Sequence, residues 1–195
     1  MIIGLTGGIA TGKSNVSRFL ARHGYRVVDA DQVAHRVQQR GSAGLRAIIS
    51  HFGSGYLNAD RTLNRRKLGR RVFSDPQALR DLVRVVDPDL RSRIVAELKR
   101  DCSQTKRVVL DAPTLFENGY QYLVDRIVVV ACEPNVQLAR LRDRDQLSIE
   151  VAEKRISSQW PLRIKAELAD VVINSNGSKR QTLRQVSALI DRHRI

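Results

Sequence analysis

The segment Gly7-Gly8-Ile9-Ala10-Thr11-Gly12-Lys13-Ser14 has one glycine, four intervening residues and then Gly-Lys-Ser, and it follows directly on the apolar run Ile2-Ile3-Gly4-Leu5. The chemistry of that spacing is the binding of a nucleoside triphosphate. Glycines let the backbone close around a polyanion, and successive N–H groups at the start of a helix converge on it. Gly8, Ala10, Thr11, Gly12 and Asn15 are therefore expected to line the triphosphate. Lys13 reaches the β- and γ-phosphates as a mobile point charge, and the Ser14 hydroxyl is the expected ligand of a phosphate-bound Mg²⁺. A glycine-rich turn that merely caps a helix would not require the four fixed positions or the strand before them.

Phosphoryl transfer to an alcohol also benefits from a carboxylate that orients the acceptor hydroxyl and takes its proton. Asp29-Ala30-Asp31, at the end of a second apolar run, offers two. Asp31 is the candidate base, with an alternative use as N-cap of a helix beginning at Gln32-Val33. Asp29 is expected to face the phosphate loop and hold water on the metal. Val108-Val109-Leu110-Asp111 has the form of a second phosphate-site motif, whose acid holds Mg²⁺ directly or through water, although many parallel strands end in Asp. In the continuation Thr114-Leu115-Phe116-Glu117, the apolar residues are expected on the acceptor wall with Glu117 closing it; ordinary core is the alternative for Leu115 and Phe116, and is favoured for Phe116. Arg140 and Arg144 share a helix face through their four-residue separation. With Arg142 they form a candidate triphosphate clamp, Arg144 foremost, that a lid would bring down on the transferring group. The alternative is a solvated face paired with Asp143 and Asp145. Ile149, Ala152, Ile156 and Trp160 make an apolar stripe, so Trp160 reads as packing.

These residues need elements to hold them. Five apolar runs read as strands, over 2–6, 26–29, 107–111, 126–131 and 171–174. Helices are expected over 13–22, 76–86, 88–100 and 178–193, with another starting at Pro134, and acidic residues ahead of Pro76, Pro88 and Pro134 mark three of the starts. Leu79, Leu82, Val83 and Val86 form the apolar stripe of the first proline-led helix. Strand–helix alternation predicts an α/β fold: a parallel five-stranded sheet with helices on both faces and a ligand crevice beyond the carboxyl ends of the strands. One domain is expected, with a core over 1–31, 101–140 and 162–195, a helical acceptor-binding insertion over 32–100 and a lid over 141–161.

The 195 residues carry a formal charge of +14, mostly from arginine, which suits bidentate contacts to phosphate. The arginines are scattered and not interleaved with aromatic residues, so no dedicated nucleic-acid partner is expected. Cys102 and Cys132 show neither metal spacing nor a disulfide framework. With no charged-then-apolar leader and no apolar stretch near the roughly 20 residues that cross a bilayer, a cytoplasmic protein without a membrane partner is expected. Oligomeric state is expected to be monomer or weak homo-oligomer. A nucleotide switch is disfavoured, since no Asp-x-x-Gly occurs in the chain.

Nearly end to end, the chain resembles dephospho-coenzyme A kinases. The resemblance is carried by Gly4-Leu5-Thr6-Gly7-Gly8-Ile9 with Gly12-Lys13-Ser14, by Val28-Asp29-Ala30-Asp31, His51-Phe52-Gly53 and Leu63-Asn64-Arg65, and by Asp111-Ala112-Pro113 with Leu115 and Glu117. Arg155-Ile156 with Gln159, and the segment from Asp170 to Gly177, complete it. It implies ATP-dependent phosphorylation of the ribose 3′-hydroxyl of dephospho-coenzyme A, with Asp31 as base, Lys13 and Arg144 as phosphate ligands and Arg65 in the acceptor lobe. The chain departs from the family's pattern at Asn15 (usually Thr), Arg61 (usually Gly), Asp87 (usually His) and Thr114 (usually Leu). Asp87 is expected to cap a helix at Pro88. A nucleoside or nucleotide acceptor on the same phosphate loop is the alternative.

Overall fold

Strands buried on both faces need apolar residues at every position rather than at alternate ones, and three of the runs have them. Ile3, Leu5, Val108, Val109, Leu110, Val128, Val129 and Val130 are all completely buried. In the computed structural model, which describes residues 1–192 and 195, they form the centre of a parallel five-stranded sheet in the order β2-β3-β1-β4-β5. The strands are β1 (Ile2–Gly7), β2 (Arg26–Asp29), β3 (Val108–Asp111), β4 (Arg126–Ala131) and β5 (Val171–Asn174). Register sets Leu5 of β1 beside Asp111 of β3 and Gly7 beside Val130 of β4. The helices are α1 (Lys13–Arg22), α2 (Ala30–Val37), α3 (Ala43–Phe52), α4 (Arg65–Ser74), α5 (Pro76–Gln104), α6 (Pro134–Asp145), α7 (Ile149–Ser157), α8 (Leu162–Glu167) and α9 (Lys179–Asp191). The expected end of the last helix, His193, lies outside the described residues.

Residues divide into two compact units, one of Met1–Val28 with Leu98–Ile195, the other of Asp29–Glu97. In the first, Val16 and Leu20 of α1 and Val186 of α9 join Ile3, Leu5, Val109, Val128, Val130 and Ile173 of the sheet in one core. Each such side chain contributes about 1.5–3 kcal/mol on leaving water. Tyr25 completes the core by donating its hydroxyl to the Ile195 carbonyl at 2.8 Å, and burial raises its pKa. The connections after β1 and after β4 leave in opposite directions across the sheet, which opens a crevice at the carboxyl ends of these adjacent strands.

The second unit is helical. Ser42 caps α3 through the Leu45 N–H and Asn64 caps α4 through the Lys67 N–H, while Arg36 of α2 reaches both Glu97 oxygens at 2.6 and 2.8 Å. Four expectations are corrected here. The cap of α2 is Asp29, not Asp31, because the helix begins at Ala30 and the Asp29 carboxylate accepts the Gln32 N–H at 3.0 Å. The helices expected over 76–86 and 88–100 are one continuous helix through Pro88. Proline removes one helical hydrogen bond, but Val86, Ile94 and Leu98 are buried on both sides of it. Asp87 and Asp89 pair with Arg91 and Arg93 one turn on, so Asp87 caps nothing. Finally, Leu79 and Val83 are 39 and 52 % exposed; Ala78 and Val86 are the buried positions of that segment.

Arg61 has φ 63° in the turn between Asn58 and Thr62. A side chain in the left-handed region costs roughly 1–2 kcal/mol, partly offset by the smaller unfolded-state entropy of a non-glycine residue. Arg61→Gly is expected to raise stability by about 0.5 kcal/mol, measured as a higher midpoint in urea unfolding.

Candidate active site

β1 delivers the chain to the crevice at Gly7, where there is no room for a side chain. A Cβ at Gly7 would lie 2.6 Å from the Val130 carbonyl oxygen and 2.9 Å from Thr11 Oγ1. From there the loop turns back through two left-handed residues, Ala10 at φ 61° and Gly12 at φ 87°, into α1. Thr11 is completely buried. Its hydroxyl donates to the Gly8 carbonyl at 2.9 Å, and its own carbonyl accepts from Ser175 Oγ at 2.7 Å. Its side chain therefore shapes the loop from inside. Ser14 is exposed at the start of α1, whereas Asn15 turns its amide oxygen to Arg18 at 3.0 Å.

Because β3 pairs with β1, Asp111 arrives beside the loop, and its carboxylate is ion-paired with the Lys13 ammonium. Their side chains are 7 and 14 % exposed. Breaking such a pair from one side costs about 3–5 kcal/mol because a charge stays buried alone. Ser14 and Asp111 are oxygen donors of the kind Mg²⁺ takes, and no cluster of three or more His, Cys, Asp or Glu suited to a metal occurs among the described residues. That donor set fits an ion held by one or two protein groups and the phosphates themselves. In the second unit both oxygens of Asp29 are engaged by Gln32, through its N–H at 3.0 Å and its amide at 3.2 Å. Asp31 stands exposed in the first turn of α2.

After Asp111 the chain is tied down by a buried lysine. Lys165 of α8, completely buried, donates to the Pro113 carbonyl at 2.9 Å and pairs with Glu117 Oε1 at 2.7 Å. Thr6 of β1 adds a second hydrogen bond to Pro113 at 3.1 Å. Glu117 Oε1 also accepts the Trp160 N–H at 2.9 Å, and its Oε2 is buried with no hydrogen-bond partner. Leu115, expected on the acceptor wall, is instead completely buried. It packs so closely on β1 that a Cβ at Gly4 would lie 2.7 Å from its Cδ1. Phe116 is in the core as expected, and Trp160 stacks on it, centroids 6.2 Å apart and rings 4° from parallel. Of the expected stripe, Ala152 on α7 is buried while Ile149 and Trp160, the latter beyond the end of that helix, are exposed.

Arg140, Arg144 and Arg65 are held by neighbouring groups. Arg140 donates to the Asn176 and Gly177 carbonyls at 3.4 and 3.1 Å, holding the loop between β5 and α9. With Arg142 it lines a cavity of about 670 Å³ at the elbow between α6 and α7. Arg144 forms a two-pronged pair with Asp145 at 2.7 and 3.1 Å, and Arg155 reaches the same carboxylate at 2.8 Å. These bonds hold the Asp145 carboxyl below the usual range and the Arg144 guanidinium above its own. In the second unit Arg65 donates to Gln38 Oε1 at 2.7 Å and to the His35 carbonyl at 3.3 Å, bracing the end of α2.

The family model described as dephospho-CoA kinase matches residues 1–181. This chain belongs to the dephospho-CoA kinase family. The dephospho-CoA kinase of Geobacillus kaustophilus is 42 % identical over 191 residues, 97 % of this chain and 95 % of the relative. Of solved structures, a Thermus thermophilus protein, TT1252, superposes with TM-score 0.82 at 33 % identity, covering 98 % of this chain and 97 % of that one. The dephospho-CoA kinase from Campylobacter jejuni does so with TM-score 0.75 at 27 % identity, covering 100 % and 98 %. No helix among the described residues is long and apolar enough to cross a membrane.

Within this member of the dephospho-CoA kinase family, Gln137 and Lys165 hold the site's loops yet carry no motif, and Ser175 does so from within the segment 170–177. One signal for Gln137 was in reach: it sits one turn from Leu141 on the buried side of α6, where an uncharged polar residue needs a partner. At Gly7 the obstacle is backbone. Gly7→Ala is expected to destabilise the protein by about 1–3 kcal/mol, whereas Gly8→Ala, which meets only the end of Gln137 at 2.5 Å, should cost less; chemical denaturation of the two variants checks the order.

Proposed function

We propose that the protein transfers the γ-phosphoryl group of ATP to the ribose 3′-hydroxyl of dephospho-CoA, giving CoA and ADP, in the cytoplasm. The observation that carries this reading is the Lys13–Asp111 pair at the mouth of the phosphate loop in a chain of the dephospho-CoA kinase family. The loop amides and Lys13 cradle the triphosphate. As phosphate oxygens take over Lys13, the Asp111 carboxylate is freed from its ion pair. Ser14 and Asp111 would hold a Mg²⁺ ion, which would supply charge neutralisation to the phosphates.

The acceptor hydroxyl is the nucleophile. Asp31 orients it and takes its proton as the new P–O bond forms, and the electron pair of the broken bond leaves on ADP. We assign Asp29, both of whose oxygens bind Gln32, to setting the first turn of the helix that carries Asp31. Arg65, bonded to Gln38 and His35, supports the same helix from its other end. Arg144 has to exchange Asp145 for phosphate before it meets the transferring group, an exchange that suits a lid. Arg140 acts on the nucleotide through the loop it holds.

With protein, Mg²⁺ and ATP, addition of dephospho-CoA should raise ADP formation sharply; no stimulation, or equal stimulation by other nucleosides in an acceptor screen, would overturn the assignment. Asp31→Asn is expected to lower kcat by about 10²–10⁴-fold with ATP affinity held within about twofold. Loss of ATP binding with unchanged turnover per bound complex would instead make Asp31 a metal-site or structural residue.

A further inference from the structure

The crest of the phosphate loop is gripped from outside by two carboxamides. Ile9 donates its N–H to Gln159 Oε1 at 2.9 Å, and its carbonyl accepts from Gln137 Nε2 at 2.8 Å. Because the partners are a backbone N–H and a backbone C=O, each amide's orientation is unambiguous. The two bonds act on successive peptide planes. In the Gly8–Ile9 plane, the Gly8 carbonyl is held by Thr11 through N–H and hydroxyl, and the N–H end by Gln159. In the Ile9–Ala10 plane, Gln137 holds the carbonyl. A trans peptide points its N–H opposite to its C=O, so Gln137 sets the direction of the Ala10 N–H.

Ala10 is the residue that needs setting. It has φ 61°, a conformation that a side chain makes costly and that persists only where surroundings impose it. Both arms are themselves held. Gln137 is buried on α6, 4 % exposed, and lies where a Cβ at Gly8 would be only 2.5 Å from its amide nitrogen. Gln159 is followed by Trp160, whose N–H is fixed by Glu117 and through it by buried Lys165. The packing behind them is open, a cavity of about 480 Å³ lined by Gly8, Gln137, Ile156, Gln159 and Trp160 among others. Gln159 is kept in place by its hydrogen bond, and Gln137 by its hydrogen bond together with close contact on Gly8.

We propose that Gln137 and Gln159 are positioning residues that hold Ile9 and Ala10 in the conformation that receives the triphosphate of ATP. The inference rests on the proposed function above. A loop already shaped for phosphate does not spend binding energy on ordering, so losing either arm weakens ATP and leaves the acceptor alone.

The test is steady-state kinetics with ATP and dephospho-CoA varied separately, together with equilibrium ATP binding. Gln137→Met and Gln159→Met should each raise KM and Kd for ATP by about three- to tenfold, with KM for dephospho-CoA within about twofold. The double variant should fall short of the product of the two effects, since both arms act on one residue. Gln159→Glu still accepts the Ile9 N–H and should stay closer to wild type than Gln159→Met, which a merely space-filling role would not produce. Should Gln137→Met fail to fold, the two Gln159 variants decide alone. Both KM values rising together, multiplicative effects in the double variant, or Gln159→Glu no better than Gln159→Met would overturn the clamp. A wild-type protein that does not saturate with ATP would overturn the functional reading and the clamp with it.

Discussion

An ammonium and a carboxylate that are both nearly out of water have to face each other, and the pairing of Lys13 with Asp111 imposes that demand on two separate strand ends. Lys13 sits at the start of α1 only because the chain leaves β1 through a tight loop. Asp111 sits beside it only because β3 is the neighbour of β1. Had the strand order been sequential, β2 would have taken that place and Asp111 would have lain one strand further from Lys13. The loop geometry, the crossover to β3 and the sheet order are thus joined through one contact.

A second buried pair extends the same logic. Lys165 and Glu117 fasten the segment after Asp111 to α8 and to the backbone of Trp160. The neighbouring residue, Gln159, reaches the phosphate loop. Charge buried in this way contributes little net stability compared with apolar packing of equal volume. Its value lies in direction: a lysine with two stated acceptors has one arrangement, where an apolar cluster has several. The loops on either side of the crevice are therefore positioned by polar contacts while the sheet beneath them is held by apolar ones.

Sequence reasoning succeeded where a residue's role follows from its own neighbours. The strands at 26–29, 126–131 and 171–174 match the structure at both ends, because a continuous apolar run has few alternatives. It failed where a local rule met a tertiary demand. Asp87-Pro88 has the form of a helix start, yet burial of Val86, Ile94 and Leu98 carries one helix straight through it. Leu115 looks like a wall residue and is core, since Gly4 leaves a hollow on β1 that sequence spacing does not reveal. Asp31 carried the alternative use as a cap that Asp29 has, an ambiguity of two residues within the error of any helix boundary read from sequence.

What the sequence determined by itself is the phosphate loop, the parallel α/β architecture and the family, because glycine spacing, apolar runs and motif order are properties of neighbouring residues. Which side chains hold the loops was decided only by tertiary structure. Gln137, Gln159 and Lys165 act on residues 128, 150 and 52 positions away. A glutamine or lysine carries no mark of its partner until the strand order and the burial of α6 and α8 bring that partner within hydrogen-bonding distance.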